Sequence, residues 1–587
     1  MRTMHAPSAA TVSISEVLDL LDNSFADVSA AVERRGFALW VGSGISLGRA
    51  PSVGSMLERA LEHLRRNIDA TDANCRFRRA LEEALAMSDL SPAEKLAIRL
   101  DRPVDSWPEK GKIIRSLWDA YASVLDIRVD GEEDDYMLWN AVDVRATFGT
   151  LDDPDCEHLC IAILVMEGAI ADIASANWDG LIEKAVERLS SGEPLLQVVV
   201  DPDHLRDPAR RGRLIKFHGC AIYATHDPNV YRALLTATRP QITNWPYNPR
   251  LAALRTVLRG VATNSRTLMV GLSLQDTDLQ ALFAAARAEN PWHWPPAPDP
   301  QGHVFCADRI GTHQINMLRV VYDAAYGPNR AAIEAGALIR AYAKPVLLGF
   351  VLHLLCAKLS SLAMRACGGP LAGASADIVA GLRRLRDSVA MLADGDCLTF
   401  LNRFIQLWSR GMALFRRGDL PAAGSQNYQV ISPLSAPEMA ADPNIGHSGL
   451  PELAIGLGLL GRGEAQGKWT LSLPSGLDID HGVFQATGTW ASPKTAQIFF
   501  VSSATVAIDL INRGALKNDS DVIFHSDDAW QRMLELEDGS GSRRTPTGTS
   551  RRRIGRRRAR HVSIRKLLGD AHDIASLSQR FEEEMTL

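Results

Sequence analysis

The sequence predicts an α/β fold, a mainly parallel sheet covered by helices on both faces, followed by a helical and then an α+β C-terminal region. Three observations carry this expectation. Short apolar runs recur through the first 330 residues with helical patterns between several of them. Four of those runs end in a glycine or a polar side chain, where open α/β sheets place ligands. Beyond Gly327-Pro328 the spacing turns helical through about Arg417. With 587 residues, 46% of them hydrophobic, the chain has material for at least two packed domains.

In chain order, Val17, Leu18, Leu21, Phe25, Val28 and Val32 have helical spacing, which makes residues 1–36 an N-terminal helical segment. The apolar run Phe37 to Val41 is then a buried strand, Gly42 ends it, and Met56, Leu57, Ala60, Leu61 and Leu64 form one face of a following helix. Residues of about 65–165 are mostly helical and are read as an insertion; Ser91-Pro-Ala-Glu94 is a helix start with a serine cap, a first-turn proline and a reciprocal glutamate. Further strands are expected at 169–175, 195–200, 214–217, 268–270, 303–306 and 318–322, which closes a first domain at 37–330. Residues 331–537 form a second region, helical at first and then mixed, with strands at 468–473, 497–502 and 522–524. A basic tether is expected over 538–566, because glycine, serine and threonine dominate its start. The last helix, 567–587 with a start near Ile564, uses Leu567, Leu568, Ile574 and Leu577 as its apolar face.

Composition excludes several classes. The eight cysteines are scattered rather than densely paired, and the N-terminus lacks a basic segment followed by an apolar core, so a reducing, cytoplasmic setting is expected. The apolar run Val346 to Cys356 is about half of a bilayer span and is read as a buried core helix, not a membrane segment. A formal charge of −5 hides one asymmetry: Arg543 to Lys566 holds ten arginines and one lysine with no acidic residue. That tract is a candidate for salt-dependent nucleic-acid contact, although it lacks interleaved aromatic residues.

Four segments carry the chemistry: Val41-Gly-Ser-Gly-Ile-Ser46, Ser175-Ala-Asn-Trp-Asp179, Lys216-Phe-His-Gly219 and Val270-Gly-Leu-Ser273. Gly42, Ser43 and Gly44 are read as a loop whose backbone amides stay open to a diphosphate, with Ser46 as a further hydroxyl donor. The spacing Gly-x-Gly-x-x-x-Gly through Gly48 misses the dehydrogenase fingerprint by one residue, and no ribose-binding acid follows where that fingerprint requires it. Asn177 and Asp179 follow a strand, Asp179 serving as helix cap, ligand contact or both. His218 also closes a strand, so its imidazole is expected in the same crevice. Asp276 has the simpler reading of a helix cap. Cys156, His158 and Cys160 lie in an apolar context without an evident fourth ligand, and ordinary packing is the reading.

This ordered set resembles the sirtuin-like domain, whose familiar forms read Gly-Ala-Gly-x-Ser, Thr-x-Asn-x-Asp, His-Gly and Gly-x-Ser, over roughly residues 37–325. The resemblance implies a Rossmann-like sheet, with Gly271 and Ser273 against the adenosine or diphosphate half of NAD. Two departures separate the chain from the family's protein deacylases. They carry four zinc cysteines between the histidine and the last motif, where residues 219–273 hold only Cys220, so no zinc is expected. Their first loop continues Pro-Asp-Phe-Arg, where this chain reads Arg49-Ala-Pro-Ser-Val53.

What remains is similar to the bacterial sirtuin-like NAD hydrolases of anti-phage defence. That resemblance implies NAD as substrate, cleaved to nicotinamide and ADP-ribose with Asn177 and His218 as the catalytic pair. It also implies a C-terminal region that assembles or restrains the enzyme, a homo-oligomer, and a partner such as a hexameric DNA-translocating ATPase or a short Argonaute. The alternative is a non-catalytic NAD or ADP-ribose sensor built on the same crevice.

Overall fold

The computed structural model describes residues 8–296, 300–393, 395–422, 425–474, 476–479, 481–489, 494–515, 521–532 and 560–585. Its first sheet contains β1 (Phe37–Val41), β2 (Asp172–Ser175), β3 (Leu196–Val199), β4 (Gly212–Lys216), β5 (Arg266–Val270), β6 (His303–Cys306) and the short β7 (Leu338–Ile339). The seven strands are parallel, in the order β3-β4-β2-β1-β5-β6-β7. With the helices on both faces this is the Rossmann-like α/β core that the residue pattern predicts. Because β1 pairs with β2 on one side and β5 on the other, the chain reverses its direction of travel across the sheet at β1. Ligands of open α/β sheets bind at such a reversal, beyond the carboxyl ends of the strands.

Register makes that edge specific. Val41 lies opposite Ser175 and Val270, and Ser175 opposite Lys216. The loops that begin at Gly42, Ala176, Phe217 and Gly271 therefore leave the sheet in one row. The two faces of the strands are sorted by alternation. Leu39, Val41, Ile173, Leu214, Leu268 and Val270 pack with the helices Cys156–Met166 and Ala343–Ala366, whereas Ala38, Trp40, Ala174, Ile215 and Met269 pack with Ala252–Asn264 and Thr277–Glu289. A separate apolar cluster unites the helix Val53–Arg66 with the helices of the insertion.

The C-terminal region shares the first face's core through Ala343–Ala366, a helix long and apolar enough to cross a membrane by length and composition, but with 83% of its apolar window buried inside the protein. Behind it the helices Ser375–Met391 and Leu450–Ala465 cross at their glycines: a Cβ on Gly381 would sit 2.0 Å from the Gly458 carbonyl oxygen. The second sheet contains β8 (Trp469–Ser472), β9 (Phe484–Gly488), β10 (Thr495–Val501), β11 (Val522–His525) and β12 (Arg560–Ser563), in the order β12-β11-β10-β9-β8. Strands β10 to β12 are parallel and β8 to β10 antiparallel.

The structure corrects three expectations. Residues 318–322 are not a strand: they end the helix Thr312–Tyr322, whose buried Met317, Leu318, Val321 and Tyr322 form one helical face despite their β-favouring composition. The end of the basic tether is ordered as β12, paired with β11 from Arg560 to Ser563. The last helix is two, Ile564–Asp570 and Ile574–Met585, because Asp573 takes the Ser576 amide at 2.7 Å and starts a new turn. The arginines from Arg543 to Arg558 lie outside the described residues.

Candidate active site

The loops after β1 and β5 touch backbone to backbone. The Gly42 amide donates to the Val270 carbonyl at 3.3 Å and the Gly44 amide to that of Gly271 at 3.0 Å. A Cβ on Gly44 would lie 2.5 Å from the Gly271 Cα, and one on Gly42 would lie 2.6 Å from the Gly271 oxygen. Gly271 itself has φ +65°, the left-handed region that favours glycine. The glycines at 42 and 44 are thus required by the neighbouring loop, and their amides are engaged rather than open as the motif alone suggests. Ser43 and Ser273 are exposed at the rim of these loops.

Below the loops, Ser46 is the centre of a buried network. Its hydroxyl donates to Asp179 Oδ2 at 3.0 Å and accepts from Asn177 Nδ2 at 3.2 Å. His158 Nε2 lies 3.1 Å from the same oxygen. The tautomer follows from the other ring nitrogen, which accepts the Asp155 amide at 3.1 Å; Nδ1 is then unprotonated, and the proton of the neutral ring is on Nε2, pointing at Ser46. One donor and two acceptor positions of the hydroxyl are all used. Ser46 is therefore no donor to a diphosphate in this arrangement, but the part that orients the Asn177 amide.

That orientation matters because an amide with its NH₂ directed at Ser46 directs its carbonyl the other way. Asn177 Oδ1 has no hydrogen-bond partner among the described residues, while the Asn177 backbone amide is held by Ser175 Oγ at 3.1 Å. Asp179 also accepts the Leu181 amide at 3.1 Å, so it caps the helix Leu181–Leu189 and anchors Ser46 at once. Lys216, fully buried, ties this loop down from β4 by donating to the Asp179 carbonyl and to Glu183 Oε1 at 2.9 Å. Burial disfavours its charge, but nearby Cys220, Glu183 and Asp179 outweigh that and hold its pKa above the usual lysine value.

His218, 4% exposed, follows β4 on a backbone pinned by the Thr236 amide at 3.0 Å and the Trp178 indole at 3.1 Å, both donating to its carbonyl. Its Nε2 lies 2.7 Å from Asp278 Oδ2, and Asp278 Oδ1 accepts the Leu279 amide at 2.7 Å. Nδ1 has no partner among the described residues. Burial works against the imidazolium, but the Asp278 charge and hydrogen bond, with Asp276 beyond, outweigh it and raise the His218 pKa. Asp276 does not cap its helix by side chain; it accepts the Tyr121 hydroxyl at 2.9 Å instead, bringing the insertion to the site. Burial raises the Asp276 pKa, against the opposing effect of His218.

His218, Asp276 and Asp278 each offer a ligand atom within 4.8 Å of the others, the only such group of three among the described residues. The short His218 to Asp278 separation is accounted for by their hydrogen bond. Cys156 and Cys160 are buried in the apolar core, as expected, but His158 between them belongs to the site. Sequence reasoning misses His158 and Asp278. His158 reads as one of a group with its cysteine neighbours, and Asp278 has the pattern of an ordinary first-turn acid.

Residues 172–310 match the SIR2-like domain, a segment that takes in Asn177, Asp179, His218, Gly271 and Asp278 and leaves Gly42 to Ser46 outside. No curated protein matches the chain. The loop outside the matched segment joins it in space through the bond between Ser46 and Asp179. The chain thus carries a SIR2-like domain on a parallel α/β sheet, which implies NAD binding and points to an NAD-dependent enzyme.

Proposed function

We propose that the chain hydrolyses NAD at the nicotinamide–ribose bond, giving nicotinamide, ADP-ribose and a proton. The observation that carries this reading is the pairing of two unused polar atoms at the ends of neighbouring strands: Asn177 Oδ1 after β2 and His218 Nδ1 after β4, each held from behind. Departure of neutral nicotinamide leaves an oxocarbenium-like ribose, so the protein's task is to orient the ribose and a water and to take up a proton. Asn177 Oδ1 accepts from a ribose hydroxyl or the water. His218, with its Nε2 proton held by Asp278, accepts the proton at Nδ1, and the imidazolium then forms beside a carboxylate.

Asp278 thus resembles the orienting acid of a hydrolytic triad in role. Ser46, Asn177, Asp179 and His218 are each less than a tenth exposed, and the Gly42 and Gly44 amides are engaged with the loop after β5. Use of those amides by a diphosphate requires the two loops to part. A closed site suits an NAD-depleting effector of anti-phage defence, which is toxic unless restrained by self-association or by a partner, and that role is part of the proposal.

The test is incubation of the purified protein with NAD, with and without the product of its genomic neighbour, followed by chromatography of nicotinamide and ADP-ribose. Nicotinamide release that is abolished by Asn177→Ala and by His218→Ala is expected. No release in any assembly state would overturn the hydrolase, and ADP-ribose binding without release would leave a sensor in its place.

A further inference from the structure

We infer that His158 is a positioning residue of the nucleotide site, acting through Ser46, and that Lys344 of the C-terminal helical region helps to set it. The inference rests on the NAD reading for its activity test, but its geometry stands alone. His158 is fully buried, 112 positions from Ser46 in sequence, and directs a single N–H at the hydroxyl that orients Asn177 and Asp179. A histidine that served only as core packing has no need of two polar partners in one line.

The line continues outward. Asp155, whose amide fixes the His158 tautomer, is the cap of the helix Cys156–Met166 and takes that helix's first amide on Oδ1 at 2.7 Å. Its other oxygen, Oδ2, accepts Lys344 Nζ at 2.9 Å and lies 3.7 Å from Arg49 Nε. Lys344 is in the first turn of Ala343–Ala366, the helix that joins the C-terminal region to the sheet. Arg49 follows the first glycine loop directly. From Lys344 through Asp155, His158 and Ser46 to Asn177, every step is a hydrogen bond. A shift of Ala343–Ala366 therefore acts on the helix cap that places His158, without passing through bulk solvent.

The chain of bonds also fixes the charge state on which it depends. Groups facing the His158 ring are Asp179 and Asp155, which favour its protonation, and Arg49, which opposes it; burial dominates and holds the pKa down at about 4. The ring is then a neutral donor at neutral pH, as a hub that leaves one proton for each contact requires.

Two substitutions separate positioning from packing. In His158→Asn the side-chain carbonyl keeps the place of Nδ1 and accepts the Asp155 amide, but no N–H reaches Ser46; in His158→Gln an amide N–H again reaches it. The expected result is a kcat reduced about 10–100-fold in His158→Asn with KM within about threefold, a melting temperature near that of the wild type, and substantial recovery in His158→Gln. A His158→Asn kcat within about twofold of wild type, or equal losses in the two variants, overturns the inference provided that the wild type turns over. An inactive wild type instead counts against the hydrolase reading, and a second measurement then decides. In protein carrying ¹⁵N-labelled histidine, His158 gives a neutral, Nε2-protonated signal at pH 7 that moves in Ser46→Ala and on addition of ADP-ribose. An imidazolium, an Nδ1-protonated ring, or a signal indifferent to both changes overturns it whatever the activity.

Discussion

Ser46 and Glu167 are each the hub of a buried polar cluster, and they differ in what is left over. Glu167 Oε1 accepts the Tyr428 hydroxyl and the Ile431 amide, each at 2.9 Å, and Oε2 accepts Lys358 Nζ at 2.6 Å. Lys358 spends its remaining protons on the carbonyls of Glu167 and Ser432, both at 2.6 Å. That cluster joins the end of Cys156–Met166 to the C-terminal region with no unpaired atom, which is what stability alone requires. The Ser46 cluster uses all of the serine but ends in Asn177 Oδ1 and, on the next strand, His218 Nδ1, two atoms with no partner among the described residues. What sets the Ser46 cluster apart is where its open valences lie, on two side chains held from behind at the carboxyl ends of the neighbouring strands β2 and β4, the edge at which open α/β sheets take ligands.

The difference gives opposite expectations for the two regions. Asn177→Ala and His218→Ala should lower nicotinamide release by ~10²–10⁴-fold. The urea midpoint should stay near that of the wild type in Asn177→Ala, whereas His218→Ala also leaves the buried Asp278 carboxylate without its partner and loses some stability. Lys358→Met should do the reverse, because it strands a buried carboxylate; a cost of about 3–5 kcal/mol is expected in urea unfolding, with catalytic constants of the folded protein changed little. Glu167→Gln combined with Lys358→Met should recover much of that stability. If Lys358→Met instead removed activity at full stability, the Glu167 cluster would belong to the site and the comparison would fail.

A finer prediction concerns the acid behind His218. Asp278→Asn removes the charge and part of the hydrogen bond that raise the His218 pKa, leaving burial, which lowers it, opposed only by the smaller effect of the Asp276 charge. As a base the ring must be neutral, so in the wild type activity rises with pH through a value above the ordinary 6.5 of histidine, and in the variant that limb should move to lower pH. Turnover at the plateau should fall as well, since an asparagine no longer stabilises the imidazolium. The same sign holds for stability: the bond between His218 and Asp278 contributes fully below pH about 6.5, and that contribution is lost as pH rises through the raised folded value. An unmoved limb in Asp278→Asn would remove Asp278 from the mechanism.

These residues also show what the amino-acid pattern makes legible. Strand β1 is a continuous apolar run, and β2 and β5 have apolar residues leading into them or closing them, each with a glycine or a small residue at the end, so the sheet, its ligand edge and the four segments can be found by reading along the chain. His158, Asp278, Lys216 and Lys344 cannot, because their roles come from partners 33 to 189 positions away. The purpose of Gly42 and Gly44 is hidden for the same cause: the obstacle to a Cβ there is Gly271, and a single segment does not reveal its neighbour. Strand β9 lacks the apolar density of β10, and β12 follows an arginine-rich run, so composition points away from both.

A smaller effect tests the link between the two regions. Lys344→Met removes the outermost bond of the line that ends at Asn177, while Arg49 stays within 3.7 Å of Asp155 and compensates in part. A kcat lowered by about 3–10-fold with KM unchanged is expected, less than for His158→Asn, because the helix cap loosens rather than loses a donor. Lys344→Arg should restore most of it. Equal kcat in Lys344→Met and wild type would confine the positioning network to the first glycine loop, the capped helix Cys156–Met166 and the SIR2-like segment.

The smallest effect is in acid. His158 is held near pKa 4, and His303, His525 and His561 are likewise lowered, to about 3, 3 and 4, in each case chiefly by burial. Each is neutral when folded and takes up a proton when unfolded, so each adds stability above pH 6.5 that is lost as pH falls from there through the folded value. His158→Gln removes one of the four without changing the others. Its stability should fall less steeply between pH 6.5 and 4, by up to one proton or ~1.4 kcal/mol per pH unit, measured as the urea midpoint at a series of pH values. A slope equal to that of the wild type would mean that His158 is already charged in the folded protein at those pH values. It would then have no lone pair for the Asp155 amide, and Ser46 would lie beside an imidazolium instead of a neutral donor, which breaks the distinction between a site held by neutral hydrogen bonds and a brace held by an ion pair.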